Sequence, residues 1–339
     1  MRIVILHDDI PDASAPDAAD VLVQAETVAG VLARFGHDVA RLPCTLNLDA
    51  MGRRISAENP DVVFNLVESV NGRGALIHLP PFCLEAWGIS YTGAPAVAIL
   101  ETSNKIMAKE RMAVNGLPTA AWEGPFPGRR CLVAGNVDAP MEDEIVTWII
   151  KSVWEHASIG LDADGLVKET RAGIRALLRS RAAALGGAWF AESYIDGREF
   201  NLSLLAGPGG PEVLPPAEIL FEGFAPDKPK IVDYRAKWDE DSYEFNHTPR
   251  RFDFDAQDAA LLTMLKDLAL RCWKAFGLAG YARVDFRVDG AGRPWILEIN
   301  TNPCLSPDAG FVAAAARAGL CFDDVVLRIL DPAVEYGYR

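Results

Sequence analysis

Residues 283–300 read Arg283-Val-Asp285-Phe-Arg-Val-Asp289-Gly290-Ala291-Gly292-Arg-Pro-Trp-Ile-Leu297-Glu298-Ile299-Asn300. Two apolar-rich runs, 281–288 and 294–300, flank Asp289-Gly290-Ala291-Gly292, the pattern of two antiparallel strands joined by a short turn. Like-facing side chains on adjacent strands are close neighbours. Glu298 and Asn300 are two residues apart and share a face, and Asp285 can join them there. Together they make an all-oxygen set, two carboxylates and one amide, which is what Mg²⁺ takes when nucleotide phosphates fill its other positions. Arg283, on the same face, would stand beside the metal as a fixed positive charge. The plainer alternative is a solvated hairpin whose acids pair with Lys or Arg. Against it, Ile296, Leu297 and Ile299 mark a well-buried strand, where an unpaired carboxylate is costly.

Two other stretches gain meaning beside this one. Ile149-Ile150-Lys151 puts a lysine at the inner end of a buried strand, where its charge needs a partner. Triphosphate oxygens would supply one. Asn104-Lys105 opens a helix, and Lys105 alone reads as an ordinary surface lysine. The run Phe190-Ala-Glu192-Ser-Tyr194-Ile195-Asp196-Gly197-Arg-Glu199-Phe200 reads as a hairpin turning at Asp196-Gly197. It can offer backbone groups to an adenine edge and a carboxylate to ribose hydroxyls.

Around these motifs the chain divides into three units. Residues 1–100 alternate strand (Ile3–Leu6, Val39–Leu42, Val62–Leu66) and helix (Val21 to Phe35, stopped by Gly36; Ala75–Trp87), a βαβ rhythm that implies a parallel sheet. Residues 101–187 hold a helix at 103–114, an irregular connection at 119–140, a strand at 145–150, a polar loop at 152–165, a strand at 166–168 and a helix at 170–184. Residues 188–339 hold strands at 188–195 and 198–206, another ending near Phe221, a long helix at 255–276, the decisive strand pair and two closing helices. Within this last unit, 222–254 is charged, aromatic and aperiodic, and a stretch that long without structure is usually a functional lid or disordered.

With 339 residues, half of them hydrophobic and 24% charged, the composition is that of a soluble multi-unit protein. A formal charge of −14 argues against nucleic acid or anionic membrane as partner, because both demand basic surface. An acidic protein that binds a triphosphate must gather its lysines and arginines locally. The six cysteines are scattered, with no CxxC pair, and read as reduced, mostly buried thiols. The first residues turn charged soon after Leu6 and read as a strand rather than a leader, and no apolar run is long enough to span a bilayer. The expected location is the cytoplasm.

Taken in order, these motifs resemble the ATP-grasp superfamily and, within it, the D-alanine–D-alanine ligases. The likeness is carried by Glu85-Ala-Trp-Gly-Ile-Ser-Tyr-Thr-Gly93, Asn104-Lys105, Trp148-Ile-Ile-Lys151, Glu192-Ser-Tyr-Ile195-Asp-Gly-Arg-Glu199-Phe, Asp233-Tyr-Arg-Ala-Lys237, Gly280-Tyr-Ala-Arg283-Val-Asp285 and Leu297-Glu298-Ile-Asn300-Thr. Each is short; their joint order and spacing are specific. The resemblance implies a three-domain α/β ATP-grasp fold, with an N-terminal parallel βαβ domain and two domains enclosing ATP. It implies that Lys105 and Lys151 hold phosphates, that Glu192 and the backbone of Tyr194 and Ile195 take adenine, and that Glu199 takes the ribose. Lys237 would close over the γ-phosphate from the lid, Asp285, Glu298 and Asn300 would hold Mg²⁺ (or Mn²⁺), and Arg283 would face the reacting oxyanion. The implied reaction joins a carboxylate to an amine through an acyl-phosphate, on small amino-acid or peptide substrates, in a chain that resembles homodimeric enzymes.

The departures from the family cluster at the substrate end. The family's glycine-rich loop with its amine-binding glutamate is replaced by His7-Asp8-Asp9-Ile-Pro-Asp-Ala-Ser-Ala-Pro16, and its His-Gly loop by Leu66-Val-Glu68-Ser-Val-Asn-Gly-Arg73-Gly. Paired serines become Ala157-Ser158, Trp238 follows the lid lysine, Cys304 stands where a glycine is usual, and Ala309 where a serine meets the second substrate. Glu68, Arg73, Asp8 or Asp9, Ser158, Trp238 and Cys304 are therefore the substrate-contact candidates; for the loop acids and Arg73, ordinary surface charge is the equal alternative. Cys304 reads as a packing residue rather than a nucleophile. These changes favour a ligase for another amino acid or peptide over one making D-alanyl-D-alanine. A non-catalytic nucleotide-binding module is the competing class, and Arg283 argues against it. A dinucleotide-binding oxidoreductase would need a glycine-rich turn after the first strand, and residues 7–16 contain no glycine.

Overall fold

The computed structural model describes residues 1–10, 16–127, 140–154, 165–225 and 228–335. Among them are three sheets, one parallel and two antiparallel, with helices packed on their faces. The first sheet has β1 (Arg2–Asp8) in the middle, flanked by β2 (Asp38–Cys44) and β3 (Val62–Asn65), all parallel. Ile3, Val4, Ile5 and Leu6 are all fully buried, the continuous apolar run of a strand covered on both sides. Ile3 and Ile5 face α1 (Pro16–Arg34) and the C-terminal helix, through Val28, Leu32, Val326 and Ile329. Val4 and Leu6 face the other way, onto Met51 and Ile55 of α2 (Leu48–Glu58) and Leu84 of α3 (Leu79–Trp87). Helix α2 was not foreseen, and the helix expected at 75–87 is a 3₁₀ turn at 74–76 followed by α3.

The helix expected at 103–114 is α5 (Lys105–Val114), preceded by α4 (Ala96–Ser103), which was not foreseen and ends at Asn104. The Asn104 side chain accepts from Ile106 and Met107 N–H, both at 3.0 Å, a cap that puts Lys105 at the head of α5.

The second sheet runs β4 (Trp122–Phe126), β7 (Trp189–Ser193), β5 (Val146–Ser152), β6 (Leu166–Glu169), with α6 (Arg171–Leu185) packed on Trp148, Ile150 and Ala191. Strand β4 lies in the stretch expected to be irregular. Gly124-Pro125 interrupts it with a register shift, and proline is tolerated there because β4 is an edge strand.

The third sheet runs β11 (Arg250–Arg251), β10 (Ala217–Ile219), β8 (Arg198–Leu205), β12 (Tyr281–Val288), β13 (Pro294–Asn300), with β9 (Glu212–Val213) also on β8. One face packs Phe200, Leu202, Val284, Phe286 and Ile296 against Leu265, Leu268 and Cys272 of α9 (Ala259–Phe276). The chain closes with α10 (Gly310–Arg317) and α11 (Phe322–Glu335), and α11 returns to the first sheet.

Asp196-Gly197 is no hairpin: β7 lies in the second sheet and β8 in the third, so 194–197 crosses from one to the other. A Cβ at Gly197, whose φ is +147°, would stand 2.0 Å from the Val288 carbonyl oxygen, so only glycine fits the crossing. The segment 222–254 is not structureless either. It holds α7 (Tyr234–Trp238), capped by Asp233, then α8 (Tyr243–Asn246), capped by Ser242, and β11. Among the described residues, no helix is long and apolar enough to cross a membrane.

Candidate active site

The face of the third sheet opposite α9 carries the polar residues. In register, Asp285 lies between Asn201 on β8 and Glu298 on β13, Arg283 between Ser203 and Asn300, and Arg287 beside Glu199. A bulge makes this possible. Phe286 pairs with Ile296 while Asp285 pairs with Glu298, so Leu297 is the extra residue. In an unbroken strand Ile296 and Ile299 would point to opposite faces; here both enter the α9 core, and Glu298 stays on the polar face.

That face, the second sheet and the segment holding α7 enclose a cavity of about 600 Å³, within the range of small-molecule sites. Lys105, Lys151, Glu192, Tyr194, Ile195 and Glu199 line it, as do Lys237, Arg283, Asp285, Glu298 and Asn300. The substrate candidates Glu68, Trp238 and Cys304 line it too. Arg73 does not: it is exposed, in a tight bridge with Val70. Ser158 lies outside the described residues.

Asp8 and Asp9 also drop out. Asp8 is buried and accepts from Glu68 N–H at 2.7 Å and Ser69 Oγ at 2.6 Å. It braces the loop that presents Glu68, and burial, only partly offset by those bonds, raises its pKa. Asp9 is exposed and away from the cavity.

Burial sets the site's electrostatics. Arg283 donates twice to Asp285, at 2.7 and 2.8 Å, and Asn201 donates to the same carboxylate at 2.8 Å. Burial pushes the Asp285 pKa up, Arg283 opposes this, and the nearby Glu298 charge adds to the rise. Two carboxylates facing each other across a strand pair are repulsive unless a cation lies between them. The donors are oxygens, which suit a hard cation. On that chemistry Asp285, Glu298 and Asn300 fit Mg²⁺. Among the described residues no cluster of three or more His, Cys, Asp and Glu could hold a metal.

Glu192, 2% exposed, pairs with Lys109 and Lys151, both at 2.6 Å. Burial would raise its pKa, but the two lysines overcome this and hold it at about 2. Lys109 also donates to Thr119 Oγ1 at 2.8 Å and the Ala120 carbonyl at 3.1 Å. Glu192 is therefore first an anchor for lysines. The Tyr194 N–H is already bonded to the Thr147 carbonyl at 2.9 Å, so an adenine edge is left the Tyr194 carbonyl and the Ile195 backbone. Glu199 pairs with Arg287 at 2.9 Å, yet burial still raises its pKa. Arg287 also donates to the carbonyls of Gly197 (3.0 Å) and Lys230, tying the sheet crossing to the segment before α7.

The Cys304 thiol donates to Asp20 at 3.1 Å, and burial with the charges of Glu68 and Asp20 pushes its pKa far up. That is the opposite of an activated nucleophile. Gln24 bridges Asp20 (3.1 Å) and Glu68 (2.9 Å).

Lys109, Asn201, Arg287 and Asp20 were not foreseen. Lys109 could have been found, since it shares the apolar helix stripe of Ile106 and Met112. Asn201 follows from Glu199 by strand alternation once β8 is known to border β12.

Comparison with known proteins agrees with this fold. The family model described as the D-ala D-ala ligase C-terminus matches residues 113–331. A D-alanine–D-alanine ligase of Stutzerimonas stutzeri is 33% identical over 291 residues, 85% of this chain and 82% of that one. An uncharacterised protein of Sinorhizobium fredii is 29% identical over 91% of the chain and 87% of its own length. Among solved structures, a D-alanine–D-alanine ligase from Bacillus anthracis complexed with ATP matches with a TM-score of 0.70, covering 98% of this chain and 97% of that one at 18% identity. At that identity the likeness speaks for the fold.

Proposed function

The chain belongs to the D-alanine–D-alanine ligase family, and from that premise we propose that it is an ATP-dependent ligase joining the carboxylate of one amino acid to the amine of another. The observation that carries this is the meeting of Asp285, Glu298, Arg283, Lys151 and Lys237 on one cavity wall of an otherwise acidic protein. We infer three working units, 1–100, 101–187 and 188–339. The third lends β7 to the sheet of the second, and its segment 222–254 is the lid.

In this reading Lys105, Lys151 and Lys237 hold the triphosphate. The substrate carboxylate attacks the γ-phosphorus, the bond to the ADP oxygen breaks, and ADP leaves. Catalysis of this step is mainly positioning and charge neutralisation. Asp285, Glu298 and Asn300 would hold Mg²⁺, which when bound supplies charge neutralisation and orientation of the phosphates. Arg283 stabilises the oxyanion formed when the amine attacks the acyl-phosphate, and phosphate then leaves as the amide closes. The lid keeps water from the acyl-phosphate.

The substrate pair is the finer question. Trp238, Glu68 and Asp20 on the cavity wall support an amino acid or peptide other than two D-alanines. The names of the relatives support D-alanine on both sides. Mg-ATP with D-alanine alone, followed for ADP and dipeptide beside a panel of D- and L-amino acids, separates the two. Efficient D-alanyl-D-alanine formation removes the first reading. ADP release with another amino acid and little with D-alanine removes the second.

A further inference from the structure

Three of the six lysines and arginines on the cavity wall have carboxylate partners: Lys151 with Glu192, Arg283 with Asp285, Arg287 with Glu199. Arg250 is not among them. It is exposed, lines the cavity, and among the described residues makes no ion pair; its one hydrogen bond is from a guanidinium nitrogen to the Asp308 carbonyl at 2.9 Å. Strand β11 carries it at the sheet edge, opposite Ile219. From there it reaches the start of α10, with Nε 3.4 Å from where a Cβ on Gly310 would stand. It is within electrostatic reach of Arg283.

A guanidinium with donors to spare, beside a second guanidinium, favours a planar anion held through two hydrogen bonds. The triphosphate already has lysines of its own. Asp20 and Glu68 bring opposite charge to the same cavity. We propose that in this chain Arg250, which reaches the backbone on either side of Ala309, supplies the contact to the carboxylate of the amine-bearing substrate. This rests on the ligase reading above.

A competition assay tests it. Mg-ATP and a donor amino acid that supports ADP release are offered two acceptors at equal concentration, D-alanine and D-alaninamide, then the L pair. Mass spectrometry reads the ratio of acid to amide product. The wild-type chain is expected to favour the free acid. Arg250→Gln should move the ratio toward the amide by about tenfold or more, the scale of one charge-assisted bond, with Arg250→Lys in between and KM for ATP unchanged. A variant that loses both products in proportion, with the ratio intact, would make Arg250 a mere tie to the Asp308 loop and overturn the proposal. A raised KM for ATP at an unchanged ratio would assign the anion to phosphate and overturn it as well. Wild-type chain that ligates none of these amino acids would instead sink the ligase reading beneath it, a result distinct from ligation with an unmoved ratio.

Discussion

Glu192 holds two lysines with one carboxylate, and its neighbour Lys109 is 2% exposed. Glu192→Gln strands that buried charge and should cost about 3–5 kcal/mol of stability. Because the folded pKa is depressed to about 2, the stabilisation is present above the ordinary carboxylate pKa and is lost as pH falls toward the folded value. Denaturant melts should therefore show a large gap between wild type and variant near neutral pH that narrows in acid. An equal gap at both would deny the ion triad. Asp285 titrates the other way. Its pKa is raised, so its metal-binding form should be lost at higher pH than the roughly 3.9 of a free aspartate. Mg²⁺ activation should weaken as pH drops while the protein stays folded. Glu298→Ala should leave a folded chain without turnover, and near-normal ADP release at ordinary Mg²⁺ would refute the assignment. Trp238 makes a third case. Its indole N–H is buried on the cavity wall with no hydrogen-bond partner among the described residues, an arrangement that costs about 1–3 kcal/mol until an acceptor arrives. Trp238→Phe should keep the fold and raise KM for the amino-acid substrate several-fold; an unchanged KM means that the N–H does not meet substrate. Motif residues such as Asp285 and Glu298 were legible because their chemistry demands fixed types at fixed spacing. Arg287 was not, since nothing in a strand's alternation says which cation will meet which acid across the sheet.

At the scale of elements, the crossing 194–197 shows where sequence logic stops. Asp-Gly between two apolar strands is the signal of a hairpin, and the same glycine freedom serves a passage between two sheets pressed against Val288. Only pairing partners far along the chain, β4 and β5 for β7 and β12 for β8, decide between them. The strand pair β12–β13 was legible because its partners are adjacent in sequence, although the bulge at Leu297 was not. The segment 222–254 was expected to lack structure; its helices α7 and α8 are only one turn each, too short for a periodic signal. The Lys230 backbone is tied to the rest of the site by Arg287 and by the Tyr194 hydroxyl, while Tyr243 and Phe245 remain exposed. If this segment is the lid, limited proteolysis should cut it in the free protein, and Mg-ATP should suppress the cut. Equal cleavage with and without nucleotide would count against closure.

Over the whole molecule, a net charge of −14 coexists with a cavity whose wall gathers Lys105, Lys151, Lys237, Arg250, Arg283 and Arg287. The same wall carries Asp20, Glu68, Glu192, Glu199, Asp285, Glu298 and Asp308, so a polyanion would meet these lysines and arginines beside acids that pair with them or hold a cation. The first and last stretches of chain share one core, with α11 packed on α1 and β1, so the N-terminal unit that supplies Asp20 and Glu68 is held against the sheet that carries Asp285, Glu298 and Asn300. We propose that this assembly activates a carboxylate as an acyl-phosphate. Supplying a substrate amino acid whose carboxylate oxygens are the heavy isotope, with unlabelled Mg-ATP in ordinary water, tests it directly by mass spectrometry of the released phosphate. One labelled oxygen in inorganic phosphate, formed in step with ADP, is the predicted result; unlabelled phosphate, or label leaving in AMP, would contradict it.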